Sequence, residues 1–386
     1  MNKKLLTTAI GAALAVGSSV ASMSAQADVK LYGKVHVSVD FLTPEGSGSG
    51  TTTTTTEATS RKQTNVSSNA SRWGIDISEK LGGGMKAIAK LEQQINADGD
   101  SNSQDTRNRY VGLNGKWGTV IAGNMDTPFK GISRDLEFFP EYIGDNRNLL
   151  SASANGGLGW DLRPANSIMY TSPSMNGFSV SYLYSADTTA SSTIEDNRRR
   201  ADSLGLKYAK GPLYVNFAYE THRLPGGITA SATANTADGN PVEKGYRLGA
   251  SYNFGAFKIV GLTQDLKDLG ATRDNATSVS RKSWTLGGAY TAGNNVFKAQ
   301  YTKAGTLSNF SAGTSGDNTG GKMWAIGWDH IFSKTTKAYV AYAKTDNDSA
   351  SAFTVNGPSG GAHSDVLAPA TGKDPSAWSV GMIVDF

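Results

Sequence analysis

Alternation with a period of two runs through almost the whole chain, and no other feature restricts its fold as strongly. In the stretch VKLYGKVHVSVDF, Val29, Leu31, Val35, Val37, Val39 and Phe41 fall on one side. Lys30, Tyr32, Lys34, His36, Ser38 and Asp40 fall on the other. That pattern describes a strand with one apolar and one hydrated face. Trp73, Ile75 and Ile77 repeat it against Arg72, Asp76 and Ser78, and Tyr246, Leu248, Ala250, Tyr252 and Phe254 oppose Arg247, Gly249, Ser251 and Asn253. The last ten residues, AWSVGMIVDF, carry Trp378, Val380, Met382, Val384 and Phe386 on one face. A terminal strand with a wholly apolar face has to be covered by something. Helical stripes at i, i+3 and i+4 are scarce. Sixteen strands are expected, near 29–41, 71–80, 85–95, 107–115, 118–125, 166–172, 178–186, 202–210, 213–223, 244–254, 256–266, 282–291, 295–304, 322–332, 336–346 and 377–386.

Each segment has about the length needed to cross a bilayer at a tilt. The connections sort into two kinds. Short turns such as Gly82-Gly83-Gly84, Lys210-Gly211-Pro212 and Gly293-Asn294 alternate with long polar loops such as 43–70, which holds the threonine run 51–56, and 346–376. A soluble sandwich has no reason to segregate loop lengths by rim, whereas hairpins of an outer-membrane barrel do. The chain start agrees. Lys3 and Lys4 precede an apolar run from Leu5 to Val20, and Ala25-Gln26-Ala27 offers a small-x-small cleavage site, so residues 1–27 read as a secretory leader and Asp28 as the mature start. The run is too short, and too broken by Gly11 and Gly17, for a retained anchor. The expected fold is therefore all-β: a 16-stranded antiparallel transmembrane barrel with short periplasmic turns and long extracellular loops, forming one domain over 28–386. In hydrocarbon every backbone polar group needs an internal partner, so the last strand must pair with the first. Phe386 then sits at the periplasmic interface.

Composition narrows the function. Without Lys3 and Lys4, 35 basic residues (37 − 2) face 33 acidic ones, so the near-neutral chain gives no support for nucleic acid as a partner. Cysteine is absent, which removes disulfides and thiolate metal sites. The four histidines, His36, His222, His330 and His363, lie in no nucleophile or metal spacing, so neither an enzyme nor a cofactor is expected.

One connection is out of scale. From about 126 to 165 the chain lacks spanning alternation and is unusually apolar, with Phe129, Ile132, Leu136, Phe138, Phe139, Tyr142, Ile143 and Trp160. Long irregular loops are usually functional. Folded into the lumen, this one packs its apolar side on the wall and turns Asp135, Glu137, Glu141 and Asp145 to water. Lys30, Lys34, Arg72 and Lys90 have inward parity. Arg107 and Arg109 open strand four, where Tyr110 and Val111 leave the parity open. Cations facing an acidic loop across a water-filled eyelet filter solutes by charge.

These segments resemble the trimeric, sixteen-stranded general diffusion porins of Gram-negative bacteria. LYGKVHVSVDF is similar to that family's first strand, SRWGIDISEKLGGGMKAIAKLE to strands two and three, RNRYVGLNGKWGTVIAG to strands four and five, and RPANSIMYTSP to strand six, and the terminal Phe is similar to its end signal. The resemblance implies an inward-folded third loop whose FFPEYIGDN tip carries Glu141, and wall arginines at Arg72 and Arg109. It also implies a homotrimer set among outer-membrane lipid and lipopolysaccharide, passing small hydrophilic solutes and ions passively. Relatives often show Gly-Arg at the end of strand five where this chain has Gly123-Asn124, which weakens the case for a strong anion preference. A sugar- or organic-acid-selective channel is the alternative.

Overall fold

A computed structural model of the chain describes residues 27–45, 62–99, 106–151, 159–188, 199–223, 242–269, 279–308, 318–357 and 369–386. Residues 1–26, where the leader is expected, and the threonine run lie outside the described residues. Seventeen strand segments form one sheet: β1 (Asp28–Thr43), β2 (Gln63–Ser68), β3 (Arg72–Gly82), β4 (Met85–Gln94), β5 (Thr106–Gly115), β6 (Gly118–Asn124), β7 (Ser167–Thr171), β8 (Phe178–Ser185), β9 (Arg200–Lys210), β10 (Leu213–Arg223), β11 (Val242–Phe254), β12 (Phe257–Lys267), β13 (Arg281–Ala292), β14 (Asn295–Ala304), β15 (Gly321–Ile331), β16 (Thr336–Asn347) and β17 (Ser376–Asp385). Every pairing is antiparallel, and the sheet closes because β17 pairs with β1 from Lys34↔Asp385 to Thr43↔Ser376.

The seventeen segments make sixteen staves. β1 pairs with β3 over its first half and with β2 over its second, so β2 and β3 are one wall strand broken at 69–71. Ala70 there has φ +51°, and side chains replace the interrupted ladder. Ser71 Oγ accepts from His36 N at 3.0 Å and donates to His36 O at 3.1 Å, while Asn69 N donates to the same carbonyl at 2.9 Å. Backbone groups at the break thus stay paired, as burial demands. The segment QTNVSS was not expected as strand. It carries a single outward apolar residue, Val66, opposite Val39 of β1, which is too few to mark a strand by alternation.

The two faces sort as the alternation requires. Val29, Leu31, Phe41, Leu248, Phe257 and Trp378 point outward and stay exposed, whereas His36, Ser38, Asp40, Glu220 and Arg247 point inward and are buried. A sheet with its greasy side out has its apolar surface matched to lipid rather than to a core. The terminal residue completes the seam. Gly33 N donates to Phe386 O at 2.9 Å and Phe386 N to Gly33 O at 3.0 Å. The Phe386 ring lies over Gly33, where a Cβ would come within 2.2 Å of Cζ. Phe386 therefore sits outward at the short-turn rim, as the terminal alternation implies.

Candidate functional site

Inside the barrel, residues 125–151 and 159–166 of the connection between β6 and β7 include two helical segments, α1 (Pro128–Asp135) and the single turn α2 (Arg147–Leu150). α1 starts where the local chemistry favours it. Thr127 caps the helix by accepting from Lys130 N at 3.1 Å, and Pro128 fills the first turn, where no amide donor is needed. Phe129, Ile132 and Leu136 then form an apolar stripe that is wholly buried against the inner wall with Trp160, Leu262 and Leu266. The loop tip continues along the wall, where Phe139, Tyr142 and Ile143 pack on Ala325, Tyr339 and Ala341.

The wall is recessed beneath these anchors. A Cβ on Gly245 would lie 2.2 Å from Trp160, on Gly249 2.1 Å from Leu136, and on Gly287 or Gly327 2.9 Å from Phe138 or Phe139. Inward-facing glycines on β11, β13 and β15 thus form the seat of the loop. Polar clamps hold it there. Buried Arg247 donates through Nη1 to Phe129 O at 2.9 Å and to Asp161 Oδ1 at 3.0 Å, and Lys298 donates to Tyr142 Oη and pairs with Asp329 at 2.6 Å. Neither Arg247 nor Lys298 was singled out from sequence, although inward parity on β11 and β14 was available as a signal.

The tip reaches β1 and β3. Glu141, at φ +73°, accepts from Lys34 Nζ at 2.9 Å and from Arg72 Nη1 at 2.9 Å, with Arg107 Nη2 at 3.8 Å. Glu92 on β4 closes the cluster with Arg107 at 2.6 Å and Arg72 at 3.8 Å. Lys90 pairs with Asp76 at 3.0 Å and donates to Tyr32 Oη at 3.1 Å. Half-buried Lys34, Arg72, Lys90 and Arg107 and buried Glu141 are therefore brought together on one sector of the inner wall. Burial opposes ionisation of Glu141, but Lys34, Arg72, Arg134 and Arg107 outweigh it and hold the carboxyl well below the usual range.

Other expected members sit elsewhere. Lys30 is exposed near the short-turn end of β1, opposite Asp76 in register. Asp145 is not turned to water: it is buried within the loop, paired with Arg147 at 2.7 Å and Arg134 at 3.2 Å, and accepts from Glu141 N at 2.8 Å. Those arginines overcome its burial and lower its pKa. Glu137 is equally buried, 2.8 Å from Arg134, and burial pushes its carboxyl well above the usual range. Both residues are used to shape the tip. Of the four acidic candidates, Asp135 alone is exposed, and it accepts a hydrogen bond from Tyr214 Oη.

Arg109 departs from the expected set through a bulge. Leu91 pairs with Arg109 but Gln93 pairs with Thr106, so three steps on β5 oppose two on β4. Such an insertion re-aims side chains. Arg107 and Asn108 both turn inward, where Asn108 Oδ1 accepts from Arg163 Nε at 3.0 Å, while Arg109 shares the outer face with Val111 and donates to Gln93. Arg163 also pairs with Asp126 at 3.0 Å, and Lys130 with the same carboxylate at 2.8 Å, which fixes the loop root.

A family model for Gram-negative porins matches residues 9–350. The major outer membrane protein P.IA of Neisseria meningitidis serogroup C is 28% identical over 362 residues, covering 84% of this chain and 91% of that protein. Outer membrane porin protein 32 of Delftia acidovorans is 29% identical over 288 residues, covering 73% and 75%. Among solved structures, an anion-selective porin from Comamonas acidovorans superposes with a TM-score of 0.72 at 24% identity, over 94% of this chain and all of that one. The trimer form of OmpT from Vibrio cholerae gives 0.66 at 15% identity, over 93% and 99%.

Proposed function

Since the chain belongs to the Gram-negative porin family and forms an outer-membrane channel for passive diffusion of small hydrophilic solutes and ions, we propose that its selectivity is set where the loop tip meets the wall. The observation that carries this reading is the capture of Glu141 by Lys34 and Arg72. Three cations, Lys34, Arg72 and Arg107, share two carboxylates, Glu92 and Glu141, which leaves about one net positive charge at the tip. Lys90 and Asp76 cancel, and Arg163 and Lys130 exceed Asp126 by one charge at the loop root. Asn124 adds none. The field across the eyelet is modest and favours anions, while the loop's bulk limits solute size. The reversal potential across a planar bilayer in a salt gradient tests this. A weak anion preference is expected, and a cation preference would overturn it.

A homotrimer fits the outer surface. Arg109, Gln93 and Asn124 share outward parity on neighbouring β4, β5 and β6. A guanidinium on the lipid side costs about 2–4 kcal/mol near the midplane. Cover by a second copy relieves that cost, and the trimer form of OmpT has the same fold. The rest of the outer wall meets outer-membrane lipid, including lipopolysaccharide.

A further inference from the structure

The tight turn that leads into β8 carries chemistry that the channel does not use. At the short-turn rim, Met175 N donates to Phe178 O at 2.8 Å and Phe178 N to Met175 O at 3.0 Å, so Asn176 and Gly177 form the whole bend. Their φ angles are +52° and +97°, the left-handed pair of a two-residue hairpin. Asn-Gly is the favoured choice for such a bend, and a Cβ on Gly177 would in addition lie 3.1 Å from Ala209 O. The same dipeptide is the one that cyclises most readily. The amide after the asparagine belongs to a residue without a Cβ, so little hinders its approach to the side-chain carbonyl.

Four Asn-Gly pairs occur in the chain, at Asn114, Asn155, Asn176 and Asn356. Asn155 lies outside the described residues. Asn114 is held in β5 opposite Thr119 and donates to Thr119 Oγ1 at 2.7 Å, and Asn356 is fully buried. Asn176 is exposed, and Gly177 N donates to no group among the described residues. The Asn176 side-chain carbonyl is also engaged by a cation, since Lys210 Nζ at the end of β9 donates to Oδ1 at 2.6 Å. An ammonium at that position polarises the carbonyl and stabilises the oxyanion that forms when Cγ is attacked.

We infer that Asn176 is a site of spontaneous deamidation promoted by Lys210. Gly177 N loses its proton to solvent hydroxide and bonds to Asn176 Cγ, and the tetrahedral oxyanion at Oδ1 faces the ammonium. Collapse of that species breaks the bond from Cγ to the side-chain nitrogen, which takes a proton from water and leaves as ammonia, regenerating hydroxide. One water molecule then opens the resulting succinimide. Cleavage of the new bond from Gly177 N to Cγ yields aspartate, whereas cleavage of the original peptide bond yields isoaspartate. No oxidant and no second enzyme is needed. Either product places a new carboxylate beside Lys210. Isoaspartate also adds a methylene to the main chain, so the two bonds between Met175 and Phe178 and the one from Ala209 N to Gly177 O at 2.9 Å cannot all keep their register.

The test uses the full mature protein, folded in detergent and aged in mildly alkaline buffer. The chymotryptic peptide 171–178 separates Asn176 from the other three pairs. Its mass reports replacement of the amide nitrogen by oxygen, and labelling with an isoaspartyl methyltransferase reports the isomer. Asn176 is expected to convert at least about tenfold faster than Asn114 or Asn356, whose side chains are held away from attack. Lys210→Gln is expected to slow Asn176 by about threefold or more, and Lys210→Arg to keep most of the rate. Equal rates at Asn176 and Asn114, or an undiminished rate in Lys210→Gln, would overturn the inference. Should Lys210→Gln fail to fold, the wild-type protein still decides: molar salt screens the ammonium and is expected to slow Asn176, and a rate indifferent to salt would remove Lys210 from the reaction.

Discussion

Replacing Glu141 by glutamine removes one negative charge from the tip and keeps the side chain's size and part of its hydrogen bonding. The carboxylate lies 2.9 Å from both Lys34 and Arg72, so its loss takes away the Lys34 partner and leaves Arg72 and Arg107 on Glu92. The local surplus rises from about one to about two positive charges. A permeating ion passing about 8 Å away in water feels one unit charge as roughly 0.5 kcal/mol before screening. With a Debye length near 10 Å at 0.1 M salt, about half of that survives. Anions gain and cations lose that amount, so the difference changes by about 0.5–1 kcal/mol. That corresponds to about a two- to fivefold rise in the anion-to-cation permeability ratio. Planar-bilayer recordings in a tenfold potassium chloride gradient read the ratio directly, and the shift should shrink in molar salt. An unmoved reversal potential, or a move toward cations, would refute the placement of Glu141 at the narrowest point of ion flow.

Gly249→Val puts methyl carbons into space held by Leu136, with a Cβ already 2.1 Å from its Cδ1, so the loop must lift; conductance is expected to change and become noisy, while folding, read as a heat-modifiable band, survives. Arg247→Met strips Asp161 of its buried partner, a loss of about 3–5 kcal/mol that is expected to raise hydrogen exchange in α1 far more than in the strands. Acid should loosen the tip: the folded-state pKa values of Glu141 and Asp145 lie below their ordinary 4.5 and 3.8, so their contribution is fully present above about pH 5 and is lost as pH falls through the depressed values. Fluctuating current below about pH 3 is the expected profile, while the raised carboxyl of buried Glu137 works in the opposite sense as pH climbs above its ordinary 4.5; steady current below about pH 3 would contradict the reading of Glu141 and Asp145.

The wall was legible because lipid outside and water inside impose period two on every stave. Leu213–Arg223 and Asn295–Ala304 match their expected bounds, and most other boundaries fall within two residues. What escaped was local geometry that alternation does not encode. The break at Ala70 hid β2, and the extra residue on β5 turned Arg107 inward and Arg109 outward. In the loop, the acidic tip was visible as residues but not as pairings. Arg134 and Arg147 lie within a few positions of Asp145 in the chain, yet only the fold of the tip shows that they consume it and Glu137, leaving Glu141 for the wall. The glycines of the seat were legible as inward positions on β11, β13 and β15. Their use depends on which loop side chain arrives, and one strand's pattern carries no information about that.

The placement of the loop inside the bore can be tested through Asp135, which is exposed on α1 in a chain without cysteine. Single-channel recording of Asp135→Cys during addition of a charged, membrane-impermeant thiol reagent should show conductance falling in discrete steps, with wild type unaffected. Complete labelling, verified by mass, with no change in current would place the segment away from the path of ions and contradict the account.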